Sequence, residues 1–115
     1  MKNNTAKGIK GEEIASRFLL EKGYTILEKN YRFGRAEIDI ISEIENILVF
    51  VEVKYRSDKT FGEPELAVND KKRTLLKAAA ENYIFENNWL KEIRFDIISI
   101  THFPVLEIVH FIDVD

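Results

Sequence analysis

The chain has no cysteine, and only two prolines, five glycines and two histidines among its 115 residues. Without cysteine there is no disulfide framework, no thiolate metal site and no cysteine nucleophile. With only His102 and His110 available, a histidine-rich zinc site is disfavoured. A bound metal would have to be a hard cation such as Mg²⁺ or Mn²⁺, held by carboxylates. There is no apolar run of 18 residues and no signal-peptide core behind the N-terminal Met1-Lys-Asn-Asn, so a cytoplasmic protein is expected. Low-complexity stretches and internal repeats are missing as well. The net charge of −3 argues against a protein that coats nucleic acid. It leaves room for a local basic patch around an acidic site.

What is present is 45% apolar and 32% charged residues, the composition of a soluble globular chain. Its length suits a single domain over residues 1–115 with one core. The first helix is expected from about Lys10 to Lys22, closed by Gly23. Its apolar stripe is Ile14, Ala15, Phe18 and Leu19. Three strands follow, near Tyr24–Arg32, Arg35–Ser42 and Ile47–Tyr55. The polar turn Glu43–Asn46 should make a hairpin of the last two. Ser57–Pro64 reads as a loop. A second helix starts near Asn69 or Asp70, either able to cap it, and runs to about Asn87. It buries Leu75, Leu76, Ala79, Ala80 and Tyr83. Strands near Ile93–Ile100 and Val105–Asp113 close the chain. The order αβββαβ(β) predicts an α/β fold in which helices flank a mixed sheet.

The segment Leu48-Val-Phe-Val-Glu-Val-Lys-Tyr55 is strand-like and strongly apolar, yet it carries Glu52 and Lys54 on one face. Charges placed mid-strand are costly to bury unless paired or bound to an ion. Glu-x-Lys alone means little, because roughly one such triplet is expected by chance in so charged a chain. The context gives it weight. Glu37-Ile-Asp39 on the preceding strand puts both carboxylates on one face, and Asp39 can approach Glu52 across the hairpin. Two carboxylates that close repel, and a divalent cation lets both stay ionised. Lys54 could then orient water or stabilise charge on a phosphate. On the first helix, Glu12 lies at the edge of the apolar stripe and can lean toward the sheet, whereas Glu13 points away and suits Arg17. This set fits metal-assisted phosphodiester hydrolysis.

Asp39 followed by Glu52-Val-Lys54 resembles the PD-(D/E)xK nuclease signature, with Ile38 where the signature has proline. Gly8-x-x-x-Glu12, placed before the first helix, resembles the opening motif of archaeal Holliday-junction resolvases. More closely, the chain resembles the bacterial YraN-like family of endonuclease-like proteins. The matching segments are Gly8-Ile-Lys-Gly-Glu12-Glu-Ile-Ala15, Asn30-Tyr-Arg32, Glu37-Ile-Asp39-Ile-Ile41, Phe50-Val-Glu-Val-Lys54-Tyr-Arg56 and Arg94-Phe-Asp96. Ala36 departs from the glycine usual before Glu-Ile-Asp. The resemblance implies a restriction-endonuclease-like fold, with Glu12, Asp39 and Glu52 as metal-site carboxylates and Lys54 as the catalytic lysine.

Arg32, Arg56, Lys59 and the cluster Lys71, Lys72 and Arg73 are candidate phosphate contacts. Glu37 is either a supporting group or the ion-pair partner of Arg35 or Arg56. His102 and His110 are expected to decorate a terminal hairpin, and Tyr83, Phe85 and Trp89 to pack in the core or at a helix end. The leading expectation is a metal-dependent endonuclease acting on DNA, including branched or junction DNA. The rivals are a non-catalytic nucleic-acid-binding or partner-binding module on the same scaffold, and a hydrolase of RNA or small phosphates. So small a domain would embrace branched DNA more readily as a homodimer, with the apolar stretch Val105–Ile112 a candidate face.

Overall fold

A computed structural model describes residues 6–56, 70–102 and 104–114, the side chains of residues 6–9 aside. Helix α1 (Ala6–Glu21) is followed by β1 (Thr25–Phe33), β2 (Ala36–Ile44) and β3 (Ile47–Arg56). Helix α2 (Asp70–Glu86), β4 (Glu92–Thr101) and β5 (Glu107–Phe111) complete the order. The expected α/β order is borne out. The loop Ser57–Pro64, Lys59 and the Asn69 cap lie outside the described residues. Gly8 falls within α1 rather than before it, because the helix begins at Ala6. Among the described residues no helix is long and apolar enough to cross a membrane.

The strands form one sheet in the order β1-β2-β3-β4-β5. The first three make an antiparallel meander, β3 and β4 are parallel across the α2 crossover, and β5 returns antiparallel. The β2–β3 turn is the two residues Glu45 and Asn46, both at positive φ (49° and 67°). That geometry matches the right-handed twist of the strands it joins. Each helix covers one sheet face. Ala15 and Leu19 of α1 pack with Ile40, Val49, Val51, Ile98 and Ile100. Ala79, Ala80 and Tyr83 of α2 pack with Ile38, Ile41, Leu48 and Phe50. Both helical stripes therefore face the core as their spacing predicted.

The helix ends are set by backbone chemistry. After α1, Gly23 takes φ 94°, its N–H donates to the Leu20 carbonyl and that of Tyr24 to the Leu19 carbonyl, both at 3.0 Å. Asn88 does the same after α2 at φ 53°, with Trp89 N–H on the Ile84 carbonyl at 3.0 Å. These are left-handed caps that satisfy the last carbonyls of each helix. Trp89 packs at the helix end as expected, but Phe85 is 85% exposed, since its position on α2 faces away from the sheet.

The described C-terminal segment is held by a buried network. Arg94 donates from Nε and Nη2 to the two Asp96 oxygens, each at 2.9 Å, and Nη2 also reaches the Tyr24 hydroxyl at 2.7 Å. His110 Nε2 stands 2.7 Å from Asp96 Oδ2, and the Asp113 N–H donates to Oδ1 at 3.0 Å. His110 therefore sits inside the structure, against Phe18 and Tyr24, rather than decorating a hairpin. His102 is exposed. The segment Val105–Ile112 includes edge strand β5 and keeps Val105, Leu106, Val109 and Ile112 exposed.

Burial alone would raise the Asp96 carboxyl. Hydrogen bonds from His110, Arg94 and the Asp113 backbone outweigh it and hold that carboxyl below its ordinary value of 3.8. A depressed folded value means the contribution is complete above the unfolded value and is lost as pH falls below about 3.8 toward the folded one. Asp96→Ala should cost about 3–5 kcal/mol, because it leaves the Arg94 charge half-buried and unpaired. Urea unfolding at pH 7 measures that loss. The gap between wild type and Asp96→Ala should narrow once the pH falls below 3.8.

Candidate functional site

β2 and β3 pair over five rungs, from Ile44 opposite Ile47 to Ile40 opposite Val51. The ladder then stops, although β2 reaches back to Ala36 and β3 on to Arg56. Beyond it the Val53 N–H donates to Asp39 Oδ2 at 2.8 Å. A side-chain oxygen thus serves an N–H that continued pairing would have given to a backbone carbonyl. An interior N–H must find an acceptor, and this one allows the two strands to part.

A reversal in β2 brings the Asp39 carboxylate to that place. Ala36, Ile38 and Ile41 pack on the α2 side while Ile40 packs on the α1 side. Strict alternation from Ile38 would put Ile40 and Ile41 on the opposite faces. The reversal falls at Asp39. Across from it on β1, Asn30 has φ 55°, a left-handed conformation that asparagine tolerates. Lys29 with Ile40 and Tyr31 with Ile38 keep the register on either side. Ala36 has no positive φ, so the position accepts alanine without backbone strain.

A cleft of about 750 Å³ opens where the strands part. Among the described residues, three acids line it, Glu37, Asp39 and Glu52, and three cations, Arg32, Arg35 and Lys72. Asp39 is 3% exposed. Glu52 is partly buried on the face of β3 that α2 covers, and Lys72 Nζ of α2 lies 2.6 Å from its Oε2. Arg32 Nε is 3.8 Å from Glu37 Oε2, so Arg32 takes the place in that ion pair expected for Arg35 or Arg56. Glu37 Oε1 is buried with no hydrogen-bond partner among the described residues. Phe33 and Ala36 close the β1–β2 hairpin around Gly34 and Arg35, with Gly34 at φ 61°. Arg35 in this tight turn and Arg32 on β1 both line the cleft.

Asp39, Glu52, Arg32 and Lys72 are thus brought together. Glu12 is buried on α1 and Glu13 exposed, as the helical stripe required, but Glu12 is not among the residues that line the cleft. Lys54 is half-buried beside Ser99 of β4, two residues along β3 from Glu52 and outside the cleft lining. Arg56 is the last residue of β3, far enough along to share the strand face of Glu52 and Lys54. Its carbonyl accepts the His102 N–H at 3.2 Å. Lys71 is exposed beside Lys72. Among the described residues no three acidic or histidine side chains are close enough together to hold a metal ion. Sequence reasoning gave Arg35 only an ion-pair role. Its signal was the glycine between two arginines, Arg32-Phe-Gly-Arg35, in a hairpin turn.

A sequence model of the uncharacterised protein family UPF0102 matches residues 11–100. The chain is 47% identical over 95 residues to a UPF0102 protein of Cytophaga hutchinsonii, covering 83% of this chain and 84% of the relative. It is 50% identical over 101 residues to a UPF0102 protein of Natranaerobius thermophilus, covering 85% of each. A UPF0102 protein of Flavobacterium psychrophilum is 51% identical over 90 residues, 78% of this chain and 76% of the relative.

α1 reaches this end of the sheet because residue 11 is glycine. A Cβ there would lie 2.9 Å from the Tyr55 Cβ, at the base of a side chain that cannot swing aside. Gly11→Ala should therefore push α1 off β3, carry Glu12 with it, and cost about 1–3 kcal/mol in chemical denaturation. Unchanged stability would show that the helix does not depend on this approach.

Proposed function

The chain belongs to the uncharacterised protein family UPF0102, and we propose that it hydrolyses phosphodiester bonds in DNA with a divalent cation, Mg²⁺ or Mn²⁺, held by Asp39 and Glu52. The observation that carries this reading is the placement of both carboxylates in one cleft where β2 and β3 part. The likeness of Asp39 and Glu52-Val-Lys54 to the PD-(D/E)xK signature supports it, and that of Gly8-x-x-x-Glu12 to the resolvase opening motif favours branched or junction DNA.

The donor set fits a hard cation. Such ions take oxygen ligands, and Mg²⁺ commonly keeps several waters while using one or two carboxylates, so a preassembled trio is not required. Glu37 Oε1, buried in the same cleft without a partner among the described residues, is a polar atom that a cation or its water would satisfy. The Lys72 ammonium on Glu52 already marks the place as one that attracts positive charge. A cation bound there would polarise a phosphate oxygen and lower the pKa of water.

The chain's own residues supply the rest. Asp39 is fixed by the Val53 N–H and needs little reorganisation to present its charge. Arg32, Arg35 and Lys72 offer donors along the cleft that suit phosphate oxygens and set the register of the backbone. Arg56 and Lys71, outside the cleft lining, would take phosphates farther along the backbone. Lys54 projects from the strand face it shares with Glu52, and its Nζ would donate to water or to a phosphate oxygen. Glu12, buried on α1, would assist through water. One observation favours the non-catalytic binding module instead: the Lys72–Glu52 pair neutralises one of the two ligands without any metal.

Cleavage of duplex, single-stranded and junction DNA with Mg²⁺ or Mn²⁺ decides between them. The wild type should cleave, while Asp39→Asn and Glu52→Gln should lose at least about 100-fold in rate with the fold retained. Asparagine keeps an acceptor for the Val53 N–H, so its defect reports charge rather than unfolding. Undiminished cleavage in both variants overturns the proposal. Binding without cleavage under either ion assigns the binding module.

A further inference from the structure

The first turn of α2 carries Lys71, Lys72 and Arg73 in succession, at the end of a helix where the macrodipole already disfavours cations. Cations set against the local rule are expected where something else compensates them. For Lys72 the compensation is visible. Its Nζ lies 2.6 Å from Glu52 Oε2, its side chain is 45% exposed and that of Glu52 17%. Among the described residues it is the only lysine lining the cleft, and it comes from the helix that covers the Glu52 face of the sheet.

Resting on the reading above, we propose that Lys72 is a resident counter-ion of the site. It neutralises Glu52 until a divalent cation displaces it, and then moves to the phosphate that the cation brings in. An ammonium resting on Glu52 Oε2 neutralises that carboxylate and repels a second cation brought to it, so Lys72 lowers metal affinity when no phosphate is present. An anion that draws Lys72 off Glu52 removes this competitor. By linkage, phosphate then tightens metal binding and metal tightens phosphate binding by the same factor. The cleft is thereby poised to load its metal together with its substrate. An ammonium on a flexible stem suits this exchange, since it is a compact point charge with rotatable donors.

The test is calorimetric titration of Mn²⁺ into wild type, Lys72→Gln and Lys71→Gln, each with and without inorganic phosphate. Lys71→Gln removes the same charge from the neighbouring, exposed position and controls for long-range electrostatics. Lys72→Gln alone should bind Mn²⁺ about two- to fivefold more tightly without phosphate, the gain expected from removing an exposed ion-pair competitor. It should also lose the tightening that phosphate gives the wild type. Lys72→Arg keeps the charge and should retain the competition. Equal Mn²⁺ affinity in Lys72→Gln and Lys71→Gln, or phosphate coupling undiminished in Lys72→Gln, overturns the role of Lys72 while leaving the metal site standing. No Mn²⁺ binding by any variant overturns both.

Discussion

The hydrogen bond from the Val53 N–H to Asp39 Oδ2 is the constraint on which the rest of the site depends. A hairpin whose strands stayed paired would have closed the space beside Glu52 with a continuous ladder. Strands that parted with nothing to replace the ladder would have left an interior N–H unsatisfied, at a cost of about 1–3 kcal/mol. A carboxylate in place of a carbonyl resolves both. It pairs the amide, holds β2 and β3 apart, and leaves a negative charge at the fork. The reversal of β2 at Asp39 and the left-handed Asn30 opposite it are the backbone adjustments that make this substitution possible.

Two acidic groups of the sheet meet opposite fates. Asp96 is fully buried among Arg94, His110 and the Asp113 amide, so its charge is matched on every side and it fastens the described C-terminal segment and Tyr24 to β4. Glu37, Asp39 and Glu52 line an open cleft with Arg32, Arg35 and Lys72, and one buried oxygen of Glu37 has no hydrogen-bond partner among the described residues. A satisfied interior network specifies structure. An incompletely satisfied group at a solvent cleft is where a ligand gains most. The difference separates the scaffold from the candidate site within one 13.4 kDa chain.

Much of this was legible in the sequence. Period-two and helical spacing gave the elements, their order and both helical faces, and Gly23 gave the end of α1. The same spacing put Glu12 on the inward shoulder of its helix and Glu13 outside. What local pattern could not carry was anything set by partners distant in sequence. Regular alternation hid the reversal at Asp39, because the apolar run Ile40-Ile41 fits either face. Arg94-Phe-Asp96 entered only as a matching segment, since its role depends on Tyr24 and His110, 70 and 14 residues from the groups they meet. His110 looked like hairpin decoration for the same reason. Lys72 was one of a charged run, a pattern that usually means a solvated face, until α2 folded over Glu52. Its ion pair is a tertiary fact.

The central claim is that the fork between β2 and β3 holds a divalent cation. Paramagnetic broadening by Mn²⁺ in amide NMR spectra tests it most directly, because the effect reports position rather than activity. The account predicts that substoichiometric Mn²⁺ first broadens the amides around Glu37–Asp39 and Glu52–Lys54, while those of Glu45 and Asn46 in the β2–β3 turn, about 20 Å away along the strands, stay sharp. Broadening centred elsewhere, or spread evenly over the exposed acidic residues, would contradict it.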